Sequence, residues 1–338
     1  MGEQRKKRVF SGIQPSGRPH LGNYLGAIKQ YVAMQDEYDS IYGIVDYHAL
    51  TSMHDREQLA EYTLGVAIDF LACGLDPDKC LLVKQSDIPE HTELAWLLGT
   101  VTPIAWLERV PTFKDKKAQQ PQDVNFGLMA YPVLMAADIV IYKSEAVPVG
   151  RDQLPHLELT REIVRAFNYK YGEVFPEPAS LVQAETAVVL GIDGEKKMSK
   201  SLDNDIGIFE EPESLKKSVR KMVTDTQKIY QGDPGRPEIC NVQSFHRMFG
   251  FPGLDEVERD CRSGKLGCGK HKDDLAAMMA DYFAPMRERR KELETDLDYV
   301  RDVIETGGRK ARERAQATMA EVRDAMGLDI SHLFAGGK

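Results

Sequence analysis

The stretch FSGIQPSGRPHLGNYLGAI, residues 10–28, joins an apolar strand, a turn rich in glycine and proline, and the start of a helix. Glycines in such a turn let a ligand approach the backbone closely. The helix start offers free N–H groups and the positive end of the helix dipole, and both favour phosphate. His20 and Asn23 lie where their side chains would reach that phosphate. Taken alone, the pattern fits an ordinary tight turn equally well.

The rest of the first half of the chain continues this alternation of strands and helices. Short apolar runs predict buried strands at residues 8–13, 41–46, 80–85 and 146–150. Apolar residues at helical spacing predict helices over residues 21–35, 56–74 and about 153–167. Strands that alternate with helices form a parallel sheet, which binds ligands at the carboxyl ends of its strands. We therefore expect a Rossmann-like α/β domain over residues 1–204.

The remaining part of the chain, residues 205–338, is predicted to be helical. Helix-forming residues with helical periodicity occupy residues 211–223, 273–307 and 308–327. We expect the last long helix to pack back onto the sheet domain.

Composition limits the class of protein. The 338 residues carry a formal net charge of −9, which argues against a protein that coats nucleic acid indiscriminately. Basic clusters at residues 216–221, 287–292 and 309–314 are either solvated helix faces or local phosphate contacts. No apolar run is long enough to span a membrane, and the basic N-terminus does not resemble a secretory signal. Together with five cysteines in a chain of this length, these features predict a cytoplasmic protein.

A second cationic stretch, GEKKMSKSLDN at residues 194–204, stands out in this acidic chain. It gathers three lysines with serines and a methionine between them. Either it is an exposed surface turn, or it is a mobile clamp for a strongly anionic ligand.

The two stretches together resemble a known family. HLGN at residues 20–23 followed by KMSKS at 197–201 is similar to the paired signatures of the class I aminoacyl-tRNA synthetases. Asn23 replaces the usual final histidine of the first signature, as in the tryptophan and tyrosine enzymes. Four further stretches resemble the tryptophanyl-tRNA synthetases: FSGIQPSG (10–17), VDYHALT (45–51), YPVLMAADI (131–139) and VGRDQLPHLELTR (149–161).

This resemblance implies an enzyme that joins an amino-acid carboxylate to the α-phosphate of ATP. Such a reaction needs alignment of the two substrates and neutralisation of phosphate charge. The catalytic residues implied are His20, Asn23, Lys116, Lys197 and Lys200. Those implied for ATP binding are Gln14, Gly22, Gly150, Asp152, Met198 and Ser199. Mg²⁺ is expected to arrive with the ATP, held mostly by phosphate oxygens. The alternatives are a solvated surface position for Lys116 and a helix N-cap for Asp152.

Asp138 is the residue expected to select the amino acid. It lies in the apolar run LMAADIVIY, where a buried carboxylate must find a partner. The indole N–H is a donor without acceptor function, so a carboxylate matches it. The alternative is a structural ion pair. Replacement of Asp138 should lower tryptophan activation far more than fold stability. The resemblance implies a tryptophan site formed by Phe10, His48, Tyr131, Met135, Asp138, Val147, Val149 and Gln153.

Cys240, Cys261, Cys268 and His271 resemble a four-cysteine segment that binds an iron–sulfur cluster in some bacterial members of the family. Three thiolates and an imidazole are also zinc ligands. Because histidine stands at the fourth position, we expect that the metal site is lost and that the cysteines are small buried side chains.

The function implied is ligation of L-tryptophan to tRNA(Trp) by a homodimer, with residues 205–338 receiving the anticodon side of the tRNA. A tyrosine-specific enzyme shares the fold and both phosphate signatures. A regulatory or partner-binding protein with this fold would not need the phosphate-transfer residues, and a small nucleotidyltransferase would not need the helical region.

Overall fold

The computed structural model describes residues 5–110, 124–181, 189–230 and 232–334. Within these ranges one parallel sheet has the strand order β3-β2-β1-β4-β5. Its strands are β1 (Arg8–Ile13), β2 (Asp39–Ile44), β3 (Cys80–Lys84), β4 (Ala146–Pro148) and β5 (Ala179–Leu181). The first four confirm the sequence prediction. β5 was not predicted, because its three residues form no apolar run and pair only with the equally short β4.

Helices follow the strands in the first part of the chain. The first, α1, runs through the consecutive segments Leu21–Asn23, Tyr24–Ile28 and Lys29–Met34, of which the middle one is a π-helical turn. The others are α2 (Asp46–Ala49), α3 (Arg56–Ala72), α4 (Glu90–Gly99), α5 (Ile104–Arg109), α6 (Phe126–Val140) and α7 (Leu154–Tyr171). The parallel sheet with these helices is the predicted Rossmann-like architecture.

The later residues form the predicted helical region. Its helices are α8 (Pro212–Lys221), α9 (Asn241–Phe249), α10 (Leu254–Arg262), α11 (Cys268–Thr295), α12 (Leu297–Ala325) and α13 (Ser331–Phe334). No described helix has the length and apolar character needed to cross a membrane.

The boundary between the two long helices differs from the sequence prediction. The sequence indicated a break at residues 307–308, but α12 continues through both glycines, and the break lies at Asp296. The Asp296 side chain caps α12 by accepting from the backbone N–H of Tyr299. Gly307 instead serves close packing, since a Cβ there would lie 2.0 Å from the carbonyl oxygen of Leu82 in β3. The glycine therefore lets the helix backbone lie directly against the sheet.

Two large apolar clusters hold the sheet and the helices together. One joins α1, α3 and β2 to the helical region, with Tyr24, Phe70 and Phe283 among its buried members. The other lies under α4, α6 and α7 and includes Ala311 and Met319 of α12. The last long helix thus contributes core residues to both clusters.

Candidate active site

A cavity of about 940 Å³ lies at the carboxyl ends of β1 and β4, where the strand order of the sheet reverses. Open α/β sheets bind their ligands at this position. Most of the residues that the sequence predicted for the site line it: Phe10, Gln14, His20, Gly22, Asn23, His48, Tyr131, Met135, Asp138, Val147, Val149, Gly150, Asp152, Gln153, Lys197 and Met198. Ser199 and Lys200 are not among its lining residues. Lys116 lies outside the residues that the structure describes.

His20 and Asn23 form a reciprocal cap at the start of α1. The Asn23 backbone N–H donates to Nδ1 of His20 at 3.3 Å, and Oδ1 of Asn23 accepts from the His20 backbone N–H at 3.1 Å. Because Nδ1 accepts a hydrogen bond, the proton of neutral His20 is on Nε2, which makes Nε2 a donor. Burial lowers the pKa of His20, and Lys200 and Lys197 lower it further against the opposing effect of Asp205. His20 is therefore a neutral donor beside the cavity.

Gly22 leaves the space in which the His20 ring lies. A Cβ at Gly22 would lie 2.9 Å from both Cε1 and Nδ1 of His20, and 3.5 Å from Cβ of Met198. Any side chain at residue 22 would displace the ring. The glycine of the HLGN signature is thus needed for the observed position of the histidine ring.

The lysine-containing loop is tied to the start of α1 by the chain that follows it. The backbone N–H of Leu21 donates to the carbonyl of Ile206 at 2.9 Å, and His20 pairs with Gly207 in an isolated bridge. Within the loop, buried Asn204 accepts from the Ser199 N–H at 2.8 Å. Its amide also donates to the Asp193 carboxylate at 2.7 Å. The sequence did not indicate these contacts of Asn204, although Asn204 is the last residue of the cationic stretch.

The two lysines of the loop have different contacts. Nζ of Lys197 lies 3.6 Å from Oδ2 of Asp152, across the cavity. Lys200 turns to the glycine-rich turn instead, where its Nζ donates to the carbonyl of Ser16 at 3.1 Å. Ser199 is hydrogen-bonded to Ser201 at the exposed side of the loop.

Asp152 lies in a 3₁₀ turn, Arg151–Gln153, just before α7. A Cβ at Gly150 would lie 2.6 Å from Oδ1 of Asp152, so the glycine lets the carboxylate fold back over the backbone. The amide of Gln153 donates to Oδ2 of Asp152 at 3.1 Å. The alternative role of Asp152 as an N-cap is wrong, because Gln153 holds that position and makes no side-chain cap.

Asp138 is 1% exposed and accepts hydrogen bonds from three side chains. His48 Nε2 donates to Oδ2 at 2.9 Å, and His91 Nδ1 donates to Oδ1 at 2.6 Å. The Gln85 amide lies 2.8 and 2.9 Å from the two oxygens. Although burial alone would raise it, His91 and His48 lower the pKa of Asp138 to about 2. The predicted need for partners is confirmed, and the carboxylate is an anion at neutral pH.

His91 and Gln85 were missed by sequence reasoning. Nε2 of His91 lies 2.7 Å from the hydroxyl oxygen of Tyr142, so both ring nitrogens of His91 have partners. Tyr142 in turn stacks on Phe10 with ring centroids 5.5 Å apart. The network thus joins the carboxylate to an aromatic wall of the cavity.

Tyr131 is also held by a partner that the sequence did not indicate. Its hydroxyl lies 2.8 Å from Nε2 of His156, which lines the same cavity. The Tyr131 ring meets the ring of His48 edge-on at 6.3 Å. These contacts fix the tyrosine next to the aliphatic side chains of the cavity.

The cations of the basic clusters are largely engaged in ion pairs within the chain. In residues 287–292, Arg290 is buried and pairs with Asp69 of α3 at 2.7 Å. In residues 309–314, Arg312 pairs with Glu90 and Arg314 with Asp39. Three of these cations therefore attach the helical region to strands and helices of the first part of the chain.

The cysteine segment forms a separate small cavity, lined by Cys240, Cys261, Cys268 and His271. Nε2 of His271 lies 3.3 Å from Nδ1 of His246, and burial together with His246 lowers the pKa of His271 to about 4. Within the described ranges, no three His, Cys, Asp or Glu side chains are placed to hold one metal ion. Nε2 of His271 is engaged by His246, and we assign no chemistry to a metal there.

Comparison with known proteins agrees with this geometry. The sequence profile of the tRNA synthetases class I (W and Y) matches residues 2–284. The tryptophan–tRNA ligase of Fusobacterium nucleatum is 45% identical over 324 residues, with 95% of this chain and 98% of the relative covered. That of Deinococcus radiodurans is 43% identical over 326 residues, with the same coverage.

A solved structure extends the likeness to the whole fold. The tryptophanyl-tRNA synthetase of Campylobacter jejuni, complexed with ADP and tryptophan, has a TM-score of 0.86 and is 40% identical, with 95% of this chain and 99% of that chain covered. The chain belongs to the class I tRNA synthetases of the tryptophan and tyrosine group.

Proposed function

We propose that this chain is a tryptophan–tRNA ligase. It activates L-tryptophan with ATP to tryptophanyl-AMP and pyrophosphate, and then transfers the tryptophanyl group to tRNA(Trp). The observation that carries the proposal is that one cavity is lined by parts of both signatures and by a buried, fully ionised carboxylate. A volume of about 940 Å³ suits two small substrates bound side by side.

The phosphates of ATP bind between the start of α1 and the lysine loop. His20, neutral and with its proton on Nε2, donates to a phosphate oxygen without adding a charge. The side-chain amide of Asn23 extends this donor surface. Lys197 and Lys200 neutralise the charge that develops on the leaving pyrophosphate. Mg²⁺ accompanies the ATP and supplies further charge neutralisation through the phosphate oxygens.

The ion pair between Lys197 and Asp152 is broken when ATP enters. Both side chains are more than half exposed, and such pairs contribute only about 0–1 kcal/mol. The ATP phosphates thus displace Asp152 from Lys197 at small cost. The freed carboxylate then accepts from a ribose hydroxyl, with Gly150 providing the close backbone approach.

Tryptophan is selected by Asp138. The four hydrogen-bonding positions of this carboxylate are engaged by His48, Gln85 and His91, with the Gln85 amide shared between both oxygens. The indole N–H replaces one of the two hydrogen bonds that the Gln85 amide makes to Asp138. Apolar contacts come from Phe10, Met135, Val147 and Val149, while Tyr131, Gln153 and Gln14 bind the amino and carboxylate groups of the substrate.

The other assignments concern the assembly. We propose a homodimer in the cytoplasm, with residues 205–338 as the region that receives the anticodon side of the tRNA and residues 1–204 as the catalytic domain. Cations of the helical region that remain exposed, such as Lys217, supply phosphate contacts for the tRNA.

The test is ATP–pyrophosphate exchange with each of the twenty amino acids, followed by charging of tRNA(Trp). Exchange should require tryptophan. Lys197→Ala should slow it about 100-fold with tryptophan binding retained, because a cation at the leaving group is lost. Lys196→Ala is the matched control, since Lys196 is exposed and does not line the cavity. Preference for tyrosine, or no exchange with any amino acid, would overturn the proposal.

A further inference from the structure

Asp69 of α3 is a buried carboxylate outside the set of predicted site residues. The Asp69 side chain is 2% exposed, and its Oδ1 accepts from Nε of Arg290 at 2.7 Å. Its Oδ2 is buried and has no hydrogen-bond partner among the described residues. A half-satisfied buried carboxylate costs free energy, and a buried ion pair is a poor device for stability alone. The arrangement therefore calls for another role.

Asp69 lies directly beneath the glycine-rich turn of the first signature. It lines a cavity of about 20 Å³ together with Gln14, Ser16, Gly17 and Asn23. That volume accommodates one water molecule or one ammonium group. The buried carboxylate thus lies next to this turn.

Lys200 meets the same turn from outside. Its Nζ donates to the carbonyl of Ser16 at 3.1 Å, and a Cβ built at Gly17 would lie 3.0 Å from that Nζ. Gly17 has a φ of +95°, so two independent constraints favour glycine at this position. The ammonium group of Lys200 and the carboxylate of Asp69 are therefore separated by one glycine-containing turn.

The charges on the two sides of the turn interact. Burial raises the pKa of Asp69 to about 6, while Arg290, Arg18 and Lys200 act in the opposite direction. Burial lowers the pKa of Lys200, and Asp205 and Asp69 raise it. Asp69 thus attracts the ammonium group of Lys200, and Asp205 attracts it more strongly.

We propose that Asp69 is a positioning residue for Lys200, and that Arg290 of the helical region holds Asp69 in place. Given the proposed function, the buried carboxylate keeps the second lysine of the loop seated at the Ser16 carbonyl, beside the His20–Asn23 cap where the ATP phosphates arrive. Arg290 links the position of Asp69 to α11. Its guanidinium pairs both with Asp69 on α3 and with Glu294, which like Arg290 is on α11.

The first test measures Lys200 directly and does not depend on catalysis. Competitive acetylation with mass-spectrometric readout compares Lys200 with Lys196, an exposed neighbour in the same loop. Asp69→Asn should raise acetylation of Lys200 relative to Lys196 about threefold or more, because loss of the carboxylate increases the neutral amine fraction. Glu61→Gln, which removes an exposed charge from the same helix, should leave the ratio unchanged. An unchanged ratio in Asp69→Asn would overturn the proposal.

The second test is a double-mutant cycle in ATP–pyrophosphate exchange. Lys200→Ala should slow exchange about 100-fold and Asp69→Asn about tenfold, while the double variant should match Lys200→Ala. Independent effects that multiply to about 1000-fold would mean that Asp69 acts structurally, and would refute the proposal. If Asp69→Asn does not fold, Asp69→Asn combined with Arg290→Gln removes both buried charges and enters the same cycle.

The outcomes separate this inference from the proposed function. Absence of tryptophan-dependent exchange in the unmodified protein would refute the function, and the acetylation ratio would still decide the role of Asp69. Normal exchange with an unchanged acetylation ratio would refute the role of Asp69 alone.

Discussion

Replacement of Asp138 by asparagine tests both the stability and the specificity of the site. Asparagine keeps one carbonyl acceptor but turns the other oxygen into a donor, so either His48 or His91 then faces a second donor. Loss of one or two hydrogen bonds to a charged acceptor costs about 1.5–3 kcal/mol each. We therefore expect Asp138→Asn to lower the free energy of unfolding by about 3 kcal/mol. The sequence alone predicted only that tryptophan activation would fall far more than fold stability, because the two partners His91 and Gln85 were not known.

The pKa of Asp138 leads to a similar value for this loss in the free energy of unfolding. Beside His91 and His48 the pKa of this carboxyl falls from 3.8 to about 2 on folding, which corresponds to roughly 2–3 kcal/mol. Because the folded pKa is depressed, this stabilisation is present above about pH 4 and is lost as the pH falls towards 2. Urea unfolding at pH 7 and at pH 3 should show a smaller difference between the unmodified protein and Asp138→Asn at the lower pH.

The same variant should lose tryptophan activation by more than its stability explains. Removal of an acceptor for the indole N–H should lower kcat/KM for tryptophan about 100-fold or more, with the KM for ATP nearly unchanged. The assay is ATP–pyrophosphate exchange at a temperature where unfolding curves show the variant to be folded.

His91→Ala separates the two effects. His91 binds the same carboxylate but does not line the cavity, so its loss should destabilise the fold by a similar amount and change kcat/KM far less. Equal losses of kcat/KM in folded Asp138→Asn and His91→Ala would refute a direct contact between Asp138 and tryptophan.

Two glycines give further predictions. Gly307→Ala would bring a Cβ to 2.0 Å from the Leu82 carbonyl oxygen and should cost about 3 kcal/mol in urea unfolding, whereas Gly308→Ala, whose nearest contact is an ordinary 3.8 Å, should be neutral or stabilising by up to about 1 kcal/mol. Gly22→Ala should displace the His20 ring and slow adenylate formation about 100-fold in single-turnover assays, with tryptophan affinity retained. Equal stability of the two α12 variants, or unchanged adenylate formation in Gly22→Ala, would contradict these accounts.

The elements of the fold that were predicted from sequence are those whose signal is local. β1 to β4 were recognised because parallel strands covered on both faces are continuous apolar runs. β5 was missed because it is short and only partly buried. The helix break at residues 307–308 was placed wrongly because the same glycine that usually ends a helix here allows a helix to lie on a strand. That second use depends on Leu82, more than 200 residues earlier in the chain.

The residues of the candidate site also divide into those with a local sequence signal and those without one. The residues proposed to bind phosphate could be named from the sequence because glycines, lysines and a helix start occur together in two short stretches. The partners of Asp138 were not found, since His91 and Gln85 lie 47 and 53 residues away in sequence and carry no local pattern. Asp69 was overlooked for a related reason, because within α3 it is one polar residue in a buried face, and only Arg290 and the turn above it give it a role.

The electrostatics of the first signature depend on the second. Lys197 and Lys200 help to keep His20 neutral, although a protonated histidine would seem better suited to phosphate. A third cation at that position would repel both lysines. A neutral Nε2 donor avoids this repulsion and, in the proposed function, still donates to a phosphate oxygen. The hydrogen bond from Leu21 to Ile206 ties the start of α1 to the chain that follows the loop, so the neutral cap at His20 and the cations of the loop act on one another.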